Sequence, residues 1–161
     1  MVVRTTLAAL AALCSLAASA SRNHVTGTSS TAPSGVSRAA QGMKWTATLA
    51  PGAGSKIAGT ASFAAGSAAG TSVATISITG GTPGATYPWH VHTGKCGPGG
   101  GVVGAGSAYK PITVGADGTG KSTATVSVAT PSSGDYHVNV HASATDMGTI
   151  VSCGNLGMAG M

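Results

Sequence analysis

The stretch Trp89-His90-Val91-His92-Thr93-Gly94-Lys95-Cys96 brings two imidazoles and a thiol into one short segment. On an extended strand side chains alternate faces, so His90 and His92 point the same way with a rise of roughly 6.6 Å between them. One metal ion could take both. A second run, Asp135-Tyr136-His137-Val138-Asn139-Val140-His141, also ends in histidine, and Cys153 follows it as Cys96 follows the first. The two halves of the chain therefore carry matching parts of what could be one site. His137 shares a strand face with His141 but stands roughly 13 Å from it on a straight strand. That separation makes it a surface or packing histidine, unless a bulge shortens the strand and turns it into a fourth imidazole.

The compartment is read from the first residues. Arg4 precedes a run of Leu and Ala that ends in Ala18-Ser19-Ala20, the pattern of a secretory signal peptide over residues 1–20 with cleavage after Ala20. The run is too short and too weakly apolar for a membrane span. Cys14 lies inside it, and Leu13 is too large for the position before a lipoprotein cysteine, so Cys14 is discarded with the peptide. The chain is expected to be secreted or periplasmic.

In that oxidising setting Cys96 and Cys153 are first expected to form a disulfide. Closing a loop of that length stabilises by roughly 4 kcal/mol on the chain-entropy model. The alternative is thiolate ligation of a metal, as in a blue-copper site. Such a site needs a His and a weak Met beside the Cys; Met158 follows Cys153, but no His lies between them.

Composition narrows the class. The chain has 26 glycines, one Phe and two Trp, and only 7% of its residues are charged. That describes a turn-rich domain of small residues, not a helical bundle or a charged disordered chain. The formal charge is +5, one less without Arg4, and the lysines are scattered. Nucleic-acid binding needs a basic patch, so no nucleic-acid partner is expected. A mild positive field could still draw a small anion.

Residues 21–42 are Ser, Thr, Gly, Pro and Ala with little to bury, a flexible leader. His24 within it reads as a solvated tail histidine. Cleavage after Ser21 would instead place it third from a free amine, an arrangement suited to square-planar Cu(II). From residue 43 to 161 the chain is one domain of short alternating segments between Gly-rich turns, the signal for an all-β sandwich or barrel. The segments are 45–49, 57–63, 73–78, 87–92, 121–128, 136–141 and 149–153, with 102–103 and 109–114 as weaker candidates. Asp117-Gly118 marks a turn, and the glycine run after Cys96 marks a loop. No helix of useful length and no repeat is expected, and Tyr87 and Trp89 read as packing.

Taken together, the histidines at 90, 92 and 141 and the cysteines at 96 and 153 give a chain that resembles the copper/zinc superoxide dismutase family, an eight-stranded Greek-key β-sandwich. Gly81-Thr82-Pro83-Gly84 with Trp89-His90-Val91-His92 is similar to that family's Gly-rich turn and His-x-His copper strand. Val140-His141 with Asp146-Met147-Gly148 is similar to its later strand, where a third copper ligand precedes an Asp and a Gly. Cys96 and Cys153-Gly154 match its internal disulfide. The likeness runs from about Trp45 to Leu156. It implies one copper ion on His90, His92 and His141, a Cys96 to Cys153 bridge, and superoxide as a small anionic substrate, with no catalytic residue beyond the metal site. Copper would carry the redox chemistry while the protein supplies binding and electrostatics.

The chain departs from that family in three places. Residues 97 to 136 hold no His and only Asp117 and Asp135 as acids, so no zinc site is expected. Ile150 stands where the family has an arginine that guides the anion, and Lys95 could replace some of that charge. Thr145 stands where an acid would orient the ligands. A second likeness, carried by His90-Val91-His92-Thr93-Gly94 and Tyr136 to His141, is to the CHRD domain, a module without established catalysis. It implies the same sandwich with a metal-binding or interaction role. The plain alternative is three histidines hydrogen-bonded to backbone in a sandwich that binds nothing.

Overall fold

Trp45, Ala47 and Leu49 are buried while Lys44, Thr46 and Thr48 face solvent, the two-residue period of a strand with one face on a core. The same period recurs along the chain. The computed structural model describes residues 43–159 apart from Pro98. Residues 1–42, on which the expected signal peptide with Cys14 and the expected leader with His24 fall, lie outside the described residues. Among the described residues nine strands form: β1 (Lys44–Pro51), β2 (Ala58–Ala65), β3 (Ser72–Thr79), β4 (Thr86–Tyr87), β5 (Trp89–Thr93), β6 (Ile112–Val114), β7 (Gly120–Val126), β8 (Tyr136–Ser143) and β9 (Asp146–Met158). Gly106–Ala108 add a 3-10 turn. No helix among the described residues is long and apolar enough to cross a membrane.

The strand order is β4-β6-β7-β3-β2-β1-β9-β8-β5, antiparallel throughout. After the β1–β2–β3 meander the chain crosses over, and β3 pairs with β7, not with β4. The two ends of the order, β4 and β5, are neighbours in sequence, separated only by Pro88. The all-β, Greek-key reading therefore holds. The layers of a sandwich are joined into one antiparallel sheet, nearly closed as a barrel.

Two differences from the sequence reading have local causes. Pro88 has no N–H to give to a ladder, so the segment 87–92 divides; Tyr87 pairs with Ile112 and Trp89 with Val140. Among the described residues nine strands result, against the eight of the sandwich that the resemblance implies. The 102–103 segment contributes only an isolated bridge, Val102 to His92. At Asp117-Gly118 the turn forms as read: Gly118 takes φ 74°, which glycine adopts without a Cβ penalty, and the Thr119 N–H donates to Asp117 Oδ1 at 3.0 Å.

The core fills the inside of the sheet with Leu49, Phe63, Ile78, Trp89, Val91, Ile112, Val138 and Val140, all almost fully buried. Trp89 meets the ring of Tyr109 edge-on, centroids 5.1 Å apart, and its indole N–H donates to the Lys110 carbonyl at 2.8 Å. That bond satisfies the one polar atom the indole brings inside. Cys96 and Cys153 are joined in a disulfide, Cα atoms 5.9 Å apart, tying the segment after β5 to β9. Each sulfur is bonded to the other, so the thiolate-ligand alternative does not describe this structure.

Candidate metal centre

Along β5, Trp89 and Val91 point into the core, so His90 and His92 point away from it on one face. The neighbouring β8 is registered with His90 opposite Asn139 and His92 opposite His137. His141, two residues past Asn139, lies on that same face. The β8–β9 ladder shifts register on both sides of His141, and the His141 N–H donates to the Pro88 carbonyl at 2.8 Å. The broken junction between β4 and β5 thus pins His141 beside the start of the histidine strand. One potential ligand atom from each of His90, His92 and His141 falls within 4.8 Å of the other two.

The partners of the rings assign their tautomers. His92 Nδ1–H donates to the Gly100 carbonyl at 3.2 Å, and His141 Nδ1–H donates to the Met147 carbonyl at 2.7 Å. A carbonyl only accepts, so each ring carries its proton on Nδ1 and presents Nε2 as a lone pair. His141 Nε2 lies 3.3 Å from His90 Nδ1. Among the described residues His92 Nε2 is buried without a hydrogen-bond partner, an arrangement that costs about 1–3 kcal/mol if nothing satisfies it.

Electrostatics keep the trio uncharged. Burial, and then the neighbouring His141 and His92, push His90 down to about 4. His92 is lowered by burial, with the Gly100 carbonyl acting against it and His137 and His141 adding to it. Burial lowers His141 also, against the pull of the Met147 carbonyl. At neutral pH all three are free bases, the form that binds a metal. Tyr109 lies edge-on to His90 with centroids 5.3 Å apart, and its hydroxyl donates to the Val103 carbonyl at 2.8 Å. Burial raises that phenol to about 12, so it remains a donor.

A set of three neutral nitrogens suits the later first-row transition metals and leaves coordination positions open. The unpartnered, buried Nε2 of His92 is what a bound cation would satisfy, so the residues present fit a metal ion. His90 is half-buried and the other two are buried, which puts His90 on the approach from solvent.

His137 stands outside the trio. Its surface reading is overturned, because the ring is fully buried, stacked on His92 at 5.2 Å and 16°, and its Nδ1–H donates to the Gly94 carbonyl at 2.9 Å; the packing reading describes it. Lys95 is exposed. Ile150 pairs with His141 across the β8–β9 ladder. The Thr145 hydroxyl bonds to that of Ser143 at 3.1 Å, and the Met147 carbonyl does the orienting of His141 in its stead. Tyr87 and Trp89 pack in the core.

Sequence reasoning missed the Gly100 and Met147 carbonyls, the Tyr109 edge, and Asn139, whose Oδ1 is buried without a partner on the histidine face. The glycine run after Cys96 was the one available sign of a close backbone approach. The chain matches no protein-family model and no curated protein.

Proposed function

We propose that this is an exported protein that binds one copper ion through His90 Nδ1, His92 Nε2 and His141 Nε2, and that it dismutes superoxide there. The observation that carries the reading is the convergence of three neutral imidazoles within 4.8 Å, with a buried Nε2 that has no other partner. Copper is the choice because imidazole suits it and because an exported, disulfide-bonded chain meets oxidising conditions. The N-terminal run of residues 1–20 supports export, as does the Cys96–Cys153 bridge.

The Gly100 and Met147 carbonyls hold two rings in the tautomer that ligates. The covered face of β5 and β8 keeps those rings neutral, and half-buried His90 leaves the approach. Bound copper would supply one-electron exchange, so that two superoxide anions and two protons become dioxygen and hydrogen peroxide.

A second reading is a CHRD-like module that holds copper without turnover. It is favoured by Ile150, an apolar residue beside His141 where a cation would guide an anion. One assay separates the two. The protein is loaded with Cu(II) and superoxide loss is followed beside a His141→Ala variant. Loss well above free buffer in the wild type, and not in the variant, supports the enzyme. Loss no better than buffer, with copper still bound, leaves the storage or interaction role.

A further inference from the structure

We infer that His137 is a positioning residue for the metal centre, holding the ring of His92 without ligating the ion; the inference rests on the copper reading above. Two contacts carry it. The His137 ring lies almost parallel to that of His92, 16° apart at 5.2 Å, and so backs one of the three ligands. Its Nδ1–H is committed to the Gly94 carbonyl at 2.9 Å, and the Gly94 N–H in turn donates to the Asp135 carbonyl at 2.7 Å.

The backbone beside it bears on the same ligand. Gly100, whose carbonyl fixes the tautomer of His92, lies near the His137 ring: a Cβ placed on it would come 3.5 Å from His137 Cε1. Gly100 also takes φ 82°, which a residue with a side chain adopts only under strain. His137 therefore faces the plane of His92 and stands beside the backbone that holds its proton.

The chemistry explains why this residue is histidine. A phenylalanine would supply the flat plate without the edge donor, and an asparagine the donor without the plate. The imidazole does both, and leaves its Nε2 buried with no partner, an arrangement that a fold selected for packing alone avoids. Nor is His137 a ligand: it is outside the cluster of mutually close donors. Near-parallel rings also send their in-plane lone pairs side by side, not to a common point.

The test uses His137→Phe and His137→Ala, with two readouts. In the metal-free protein, long-range proton–nitrogen NMR of the imidazoles gives the tautomer of His92. The wild type should show a single Nδ1–H form and both variants a mixture, with alanine the more disturbed because it loses both contacts. With Cu(II), both variants should still bind one ion with the wild-type number of nitrogens, but about 10–100-fold more weakly and with altered EPR hyperfine splitting.

Variants that lower only the unfolding midpoint, with the His92 tautomer and EPR spectrum of the wild type, would overturn the inference. A loss of one coordinated nitrogen would overturn it also, by making His137 a ligand. A wild type that takes up no copper ends the copper reading and leaves the tautomer comparison to decide this one. Should neither variant fold, the wild type decides. An Nδ1–H proton on His92 that exchanges as slowly as that of His137 supports the role, and an Nε2–H tautomer removes it.

Discussion

His90 Nδ1 lies 3.3 Å from His141 Nε2, although 51 positions separate the two residues in the chain. Two nitrogens this close need a proton or a cation between them, and in the metal-free protein the His90 N–H serves. A bound cation replaces that proton. His141→Ala is therefore expected to lower copper affinity by more than about 100-fold, since a lost ligand outweighs a lost orienting partner. Competition with a chelator of known affinity measures it, and a variant that binds like the wild type would take His141 out of the site.

Acid should weaken the metal-free fold in a defined window. The unfolded histidines take up protons near their ordinary 6.5, while folded His90 resists down to about 4; His92 and His141 are lowered in the same direction. Between those values the unfolded state binds more protons, so stability rises with pH through the window and is lost as pH falls through it. The thermal midpoint of the metal-free protein should drop from about pH 7 to about pH 4, and less so in His90→Gln. A midpoint as steep in that variant as in the wild type would contradict the assignment.

The disulfide closes a segment of 57 positions. On the chain-entropy model the double variant Cys96→Ser/Cys153→Ser should be about 4 kcal/mol less stable to urea. A loss under about 1 kcal/mol would mean that the unfolded chain gains little freedom when the bridge is absent.

Gly100 and Gly101 are adjacent but should respond differently to alanine. A Cβ on Gly100 would run into the Thr93 carbonyl, at φ 82°, whereas one on Gly101 meets nothing within 4 Å. Gly100→Ala is expected to cost about 1–3 kcal/mol and to weaken copper binding through the displaced carbonyl. Gly101→Ala should stay within about 0.5 kcal/mol of the wild type. Urea unfolding with chelator competition reads both, and equal effects would show that the Gly100 carbonyl does not support His92.

The alternation around Trp45, Ile76 and Ala124 made the strands legible, because one buried face imposes a two-residue period. His90 and His92 could be placed on one face for the same reason. What local pattern could not give was register, which is set by partners far along the chain. The rise along β8 sets His137 apart from His141 in a sequence reading, but only the pairing of His92 with His137 shows that it lies against a different member of the trio. Pro88 was visible in the sequence, but its effect, one segment feeding both ends of the strand order, depended on closure of the sheet. The carbonyls of Gly100 and Met147 left no side-chain trace to read.

The proposed site requires His90, His92 and His141 to hold one copper ion between them. EPR of the protein titrated with Cu(II), beside a His90→Ala/His92→Ala double variant, reads this out. One tightly bound Cu(II) per chain with splitting from three imidazole nitrogens is expected in the wild type and is absent from the double variant. Tight binding that survives the double substitution, or a wild-type spectrum without imidazole nitrogen coupling, would contradict it.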